Sequence, residues 1–89
     1  MWGFMTQLST KEWRNLVQRL IKIEMSRQDV RYQELSERLA AIGISQTADN
    51  LRNKVNKGIL GADLLLQIMS VLNVKDIPLA EMHAMFVQR

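Results

Sequence analysis

The sequence contains no cysteine, one histidine, one proline and four glycines among its 89 residues. Without cysteine there is no disulfide framework and no thiolate chemistry, which excludes disulfide-stapled folds and cysteine-dependent enzymes. A single histidine excludes a histidine-rich metal site. Proline and glycine are the strongest chain breakers, and their scarcity favours helices over a β fold with many turns. The composition therefore predicts an all-α protein.

Long apolar runs and aromatic residues are also scarce. No run approaches the roughly 20 apolar residues that a membrane span needs, and the apolar start at residues 1–5 is too short for a signal peptide. We therefore predict a soluble, cytoplasmic protein with no membrane partner. Five residues are aromatic but 47% are hydrophobic, which is a globular composition. A chain of this length forms a single domain, residues 1–89, with one modest core.

Signals of enzymatic chemistry are weak. His83 is interpreted as a structural or exposed residue, and Glu34 and Glu37 as a solvated helix face rather than an acid/base pair. There is no nucleophile elbow, no acidic loop with metal-ligand spacing and no glycine-rich phosphate loop. We predict that the protein is not an enzyme and uses no cofactor or metal. The sequence contains no evident site for a small-molecule effector.

Apolar residues that recur at helical spacing predict five short helices. Four of them form the core of the domain over residues 9–73, which follows an apolar segment at 1–8. The predicted helices cover residues 10–26, residues 31–42, about ten residues before Gly58, residues 61–73 and residues 78–89. A short polar link, residues 26–30, separates the first two. Isolated helices of this length are marginal in water, so their apolar faces must meet in one core.

Several residue types mark the expected helix ends. The run Ser-Thr-Lys-Glu at 9–12 is typical of a capping box before the first helix. Gly43 ends the second helix as a C-terminal cap, and Gly58 ends the third. Either Ser45 or Thr47 can cap the start of the third helix.

Positive charge is grouped along the chain, whose formal net charge is +3. Residues 1–31 contain six basic and three acidic side chains, and residues 50–58 contain three basic side chains and no acid. Residues 32–49, in between, are net acidic. Grouped positive charge is the pattern that a phosphate-facing surface shows.

Two short helices joined across a glycine-containing turn form the arrangement that places a recognition helix in the major groove of DNA. If Ala48, Leu51 and Val55 of the third helix face the core, its amide and ammonium side chains point outwards. Asparagine and glutamine can bond an adenine edge, and lysine can meet guanine or phosphate. An ordinary solvated face explains the same pattern, and both interpretations stay open. The candidate DNA-binding residues are Gln46, Thr47, Asn50, Arg52, Asn53, Lys54 and Lys57.

Four stretches of the sequence carry a resemblance to known proteins. They are Tyr-Gln-Glu-Leu-Ser-Glu-Arg-Leu at 32–39, Gly-Ile at 43–44, Asn-Leu-Arg-Asn-Lys-Val-Asn-Lys-Gly at 50–58 and Leu-Leu-Leu-Gln-Ile at 64–68. Together they resemble a family of small bacterial domains of unassigned function. That family looks like a variant of the Cro/repressor (Xre-type, lambda-repressor-like) helix-turn-helix domains. The resemblance covers roughly residues 12–73 and implies a compact five-helix fold whose second and third helices read DNA.

The sequence departs from the ordinary Xre pattern at three places. The stretch from Leu39 to Leu51 is longer than the usual tight turn. Arg31 stands where such domains commonly place a serine or threonine cap, so either Asp29 supplies the cap or the second helix starts more weakly. Gly61 likewise replaces a side-chain cap on the fourth helix, at a cost of only a few tenths of a kcal/mol.

The function that these observations favour is sequence-specific binding of double-stranded DNA by a small transcriptional regulator. The alternative is a protein-interaction module on the same fold, which binds a partner through its terminal apolar segments. Apolar side chains near both termini also predict a homodimer, in which a fifth helix meets its own copy. A monomer whose N-terminal segment folds back on that helix is the alternative. The terminal apolar residues are Trp2, Phe4, Met5, Met82, Met85 and Phe86.

Overall fold

The computed structural model describes residues 8–77, together with Leu79, Ala80 and Ala84. This part of the chain forms four helices and no strand, which confirms the predicted all-α class. The helices are α1 (Thr10–Gln28), α2 (Tyr32–Ala41), α3 (Ala48–Lys57) and α4 (Ala62–Val71). The described fold thus has four helices, not the five expected, because the helix predicted over 78–89 lies almost wholly outside the described residues. No described helix combines the length and the apolar character that crossing a membrane requires.

The start of α1 is the predicted capping box. The Ser9 hydroxyl accepts a hydrogen bond from the backbone N–H of Glu12 at 3.2 Å, and the Glu12 carboxylate accepts one from the backbone N–H of Ser9 at 3.1 Å. The predicted end of this helix at residue 26 is wrong, because α1 continues to Gln28. Asp29 ends it in the left-handed conformation, which aspartate tolerates better than most residues. The polar residues 26–28 are therefore the exposed side of a last helical turn rather than a link.

All four helices end in the same way. A residue with positive φ follows each helix, and the backbone N–H of the residue after it bonds the carbonyl five residues earlier. This is the Schellman motif, which satisfies carbonyls that the helix leaves unpaired. The residues with positive φ are Asp29, Gly43, Gly58 and Asn73. An apolar residue follows each of them: Val30, Ile44, Ile59 and Val74. The predicted caps at Gly43 and Gly58 fit this pattern.

The core draws on every helix. α2 packs against both α3 and α4, and α1 packs against α3. Ile42 follows Leu35 and Leu39 at helical spacing in the sequence but is 53% exposed, because the helix ends at Ala41 and the chain turns away. The buried apolar residues are Leu16, Leu20, Ile21, Met25, Val30, Leu35, Leu39, Leu51, Val55, Leu64, Ile68, Met69 and Leu72.

Two long-range hydrogen bonds hold the end of α4. The side-chain amide of Gln28 donates to the carbonyl of Leu72 at 2.6 Å, and the guanidinium of Arg38 donates to the carbonyl of Val71 at 3.0 Å. Arg38 also binds the carboxylate of Glu34 at 2.6 Å. Carbonyls in the last turn of a helix have no partner within the helix, so these bonds satisfy them and tie α1 and α2 to α4.

The N-terminus of α2 has no side-chain cap. Arg31 occupies the cap position and makes no side-chain hydrogen bond there. The suggestion that Asp29 supplies the cap is wrong, because Asp29 closes the end of α1 instead. Gly61 leaves the start of α4 without a side-chain cap, as predicted.

Candidate nucleic-acid interface

The connection between α2 and α3 spans residues 42–47. It is longer than the three or four residues of an ordinary helix-turn-helix turn, as the sequence predicts. The Ser36 hydroxyl of α2 donates to the carbonyl of Gln46 at 2.5 Å and holds the connection against its own helix. Of the two candidate caps, Thr47 is the one used, since its hydroxyl accepts from the backbone N–H of Asn50 at 3.1 Å.

The outward face of α3 lies opposite two fully buried side chains, Leu51 and Val55. Asn50, Asn53 and Lys57 are exposed on it, in agreement with the helical-wheel prediction. Within a helix of ten residues these three side chains lie inside about 15 Å.

Two further residues of this face were missed from the candidate set. Asn56 and Asp49 are both exposed and both lie away from the buried stripe of α3. The same wheel could have found Asn56, because five residues from Leu51 is about 140° around the helix.

Gln46 and Lys54 occupy one flank of α3. Both are half-buried, and the Lys54 ammonium donates to the Gln46 side-chain oxygen at 3.2 Å. With Ile59 and Asp63 they line a shallow groove of about 450 Å³. Gln46 is therefore less outward than predicted, because it precedes the helix and is held in the connection.

Arg52 occupies the other flank, about 160° around the helix from Lys54. It lines a groove of about 660 Å³ together with Lys22 of α1 and Arg31 of the connection between α1 and α2. Basic side chains from three separate parts of the sequence thus meet beside α3. We call this the basic groove, and its other lining residues include Met25, Val30, Tyr32 and Asp49.

Tyr32 and Arg52 are in direct contact at the wall of the basic groove. The guanidinium carbon of Arg52 lies 5.3 Å from the centre of the Tyr32 ring, within the range of a cation–π interaction. Burial raises the pKa of the Tyr32 hydroxyl above its ordinary value, and the positive charge of Arg52 opposes that rise. Tyr32 is consequently a neutral phenol at physiological pH. Arg52 also binds the carboxylate of Asp49 at 2.6 Å.

Sequence reasoning missed Lys22, Arg31 and Tyr32 as site residues. Tyr32 lies at helical spacing from Leu35 and Leu39; it is half-buried, packs against the core and also lines the groove. Excess positive charge in residues 1–31 was the available signal for Lys22 and Arg31. It did not show that these two side chains line the same groove as Arg52.

The terminal apolar residues assigned to a dimer or partner surface lie outside the described part of the chain, as does His83; they are Trp2, Phe4, Met5, Met82, Met85 and Phe86. Among the described residues, no three histidine, aspartate or glutamate side chains are grouped as a metal ion would require.

Comparison with protein families adds one assignment. The DUF6471 family, a domain of unknown function, matches residues 13–77. The chain belongs to this family. The match confirms the predicted membership of a family of domains without an assigned function, and it covers α2, α3, α4 and nearly all of α1. It supplies no connection to Xre/Cro helix-turn-helix domains. No curated protein and no protein of solved structure matches the chain significantly.

Proposed function

We propose that this domain binds double-stranded DNA sequence-specifically, as a small transcriptional regulator, with α3 in the major groove. The observation that carries the proposal is the outward face of α3, where Asn50, Asn53 and Lys57 are exposed opposite a fully buried stripe. The major groove is about 12 Å wide and admits one α-helix. Amide side chains can pair with adenine bidentately, and lysine can meet guanine or phosphate.

The charges around α3 support the same orientation. Phosphate contacts fix the position of a protein on the duplex, and the two phosphate backbones border the major groove on both sides. Positive side chains lie on both flanks of α3, with Lys54 on one and the basic groove on the other. Asp49 would repel phosphate, but its carboxylate is paired with the guanidinium of Arg52.

The arrangement of α2 and α3 also supports a Cro/repressor-like interpretation. α2 packs against α3, and the chain between them is held down by the bond from Ser36 to Gln46. The six-residue connection is a variant of the usual turn. In the N-terminal half of α3, Asp49, Asn50 and Arg52 are exposed, and N-terminal residues of the recognition helix contact base edges in helix-turn-helix complexes.

We further propose that the protein binds DNA as a two-fold homodimer. One recognition helix reads only a few base pairs, and dimers of this class read two half-sites about 34 Å apart. The described chain supports this at its C-terminal side, where Ile77 and Leu79 are 42% and 51% exposed. They lead into the segment whose apolar residues the sequence assigns to the dimer.

The proposal is tested by selecting bound sequences from a random pool of duplex DNA. Asn53→Ala is then expected to cost about 1–3 kcal/mol of binding free energy on the selected site if Asn53 contacts a base. Ser70→Ala, at an exposed position of α4, is the matched control and should bind as the wild type does. Lys57→Ala should lower the slope of log affinity against log salt by about 0.9.

Three results would refute the proposal or one of its assignments. A pool from which no duplex sequence is enriched contradicts sequence-specific DNA binding. Equal affinity of the wild type and Asn53→Ala for the selected site removes Asn53 from the reading face. An affinity that is indifferent to salt contradicts a phosphate-facing basic surface.

A further inference from the structure

The basic groove contains more apolar surface than contact with phosphate requires. Met25 and Val30, which are 6% and 5% exposed, line it and form its base. The half-buried ring of Tyr32 forms part of its wall. Its volume of about 660 Å³ lies within the roughly 300–1,000 Å³ of small-molecule sites. Phosphate has no apolar part to cover such a base.

The rim of the groove is positive. Lys22, Arg31 and Arg52 line it, and among the described lining residues Asp49 is the one acid. Its carboxylate is already bound to Arg52 at 2.6 Å. Lys22 donates to the neutral amide of Gln18 at 2.7 Å. Three cations against one carboxylate leave an excess of positive charge around an apolar base, so the groove complements an anion with an apolar body.

We propose that the basic groove binds a small organic anion in which a carboxylate is attached to a flat aromatic body. The aromatic body covers Met25 and Val30 and lies against the Tyr32 ring. The carboxylate is bound by the cationic rim. Asp49 contacts Arg52 through Nη1, and the planar guanidiniums of Arg31 and Arg52 match carboxylate geometry. Arg52 lies over one face of the Tyr32 ring, so the aromatic body meets the ring at its edge, a contact that aromatic pairs favour.

This site would regulate the proposed DNA binding, and that consequence rests on the proposed function. Arg52 and Arg31 belong both to the groove and to the positive surface beside α3. A bound carboxylate neutralises part of that charge, so the anion should weaken DNA binding. Because such coupling is reciprocal, bound duplex should weaken binding of the anion by the same factor.

The experiment is a titration of the full ¹⁵N-labelled chain with 2-naphthoate, followed by amide chemical shifts. Saturable shifts are expected in residues 22–33 and 48–52, which surround the groove. Two matched probes separate the contributions: 2-naphthalenemethanol has the ring without the charge, and acetate has the charge without the ring. Each probe should bind at least about tenfold more weakly than 2-naphthoate does. Shifts that do not saturate, lie elsewhere, or are equally strong with the neutral probe would overturn the proposal.

Two variants on the same helix make the test specific. Arg52→Ala removes a cation from the rim and should weaken 2-naphthoate binding about tenfold. Lys57→Ala removes an exposed cation outside the groove and should leave the affinity unchanged. An equal loss in both variants would show general charge attraction and sink the proposal.

The two proposals fail separately. If the chain binds 2-naphthoate at the groove but enriches no duplex, the anion site stands and the DNA-binding function is wrong. If the chain binds a selected duplex but gives no saturable response to 2-naphthoate, the anion site is wrong.

Discussion

Replacing Gly58 with alanine tests how α3 is held against α1. Gly58 is buried at the end of α3 with φ +63°, a conformation that favours glycine. A Cβ atom at this position would press on the backbone carbonyl oxygen of Arg14 and lie 2.7 Å from its carbonyl carbon. The obstacle is the backbone of α1, so no flexible side chain can move aside. α3 and α1 must separate to accommodate the methyl group.

Two costs contribute to the expected loss of stability. The left-handed conformation costs an alanine about 1–2 kcal/mol relative to glycine. Forcing an extra carbon into a packed contact costs a further 1–3 kcal/mol, roughly. Gly58→Ala should therefore lower the free energy of unfolding by about 2–5 kcal/mol, a large part of the 5–15 kcal/mol that is typical of a small domain.

Gly43→Ala is the matched control. Gly43 ends α2 with φ +84°, and a Cβ there would meet nothing within 4 Å. Only the conformational cost of about 1–2 kcal/mol applies to it. The difference between the two variants thus isolates the contact with Arg14 from the backbone strain that both share.

The assay is urea unfolding of both variants and the wild type, followed by far-ultraviolet circular dichroism. A change in the midpoint at an unchanged m-value measures the change in stability. Gly58→Ala should lose at least about 1 kcal/mol more than Gly43→Ala. Equal stability of the two variants would refute the close approach of α3 to α1.

Two further predictions concern ionisation and assembly. Tyr32 is the one tyrosine of the chain, so absorbance reports its ionisation directly; its pKa should be higher in the folded chain than in guanidinium, because burial raises it. The folded state then holds the phenol proton more tightly, and stability should be intact below the ordinary pKa of about 10 and fall as pH rises through the folded pKa. Light scattering at micromolar concentration should give twice the 10.3 kDa mass of one chain. A Tyr32 pKa that is equal or lower in the folded chain than in guanidinium contradicts the first prediction. A protein mass that stays at one chain as concentration rises, with and without duplex, contradicts the second.

Local signals explain how well the four helices could be predicted. The capping box at Ser9 and the glycines after α2 and α3 act within a few residues, so the sequence reveals them directly. The end of α1 was misplaced because Asp29, rather than a glycine, adopts the left-handed conformation. Nothing in residues 26–30 distinguishes a polar last turn from a polar link until the packing of Val30 is known.

The candidate site likewise has one part that local sequence signals predict and one part that they do not. The outward face of α3 could be predicted because Asn50, Asn53 and Lys57 belong to one helix, whose period fixes their direction. The basic groove could not, because Lys22 and Arg52 are thirty positions apart in the chain. Their proximity depends on how α1 lies against α3, which no local pattern determines.

The contacts along α1 show that α1 and α3 run antiparallel. Arg14, early in α1, meets Gly58 at the end of α3, whereas Met25, late in α1, borders the groove beside Ala48 at its start. Since α3 is a short rigid rod, pushing its C-terminal end away from α1 tilts its N-terminal end. The glycine at the end of α3 therefore helps to set the position of Arg52, the fifth of the ten residues of the helix, and with it the shape of the basic groove.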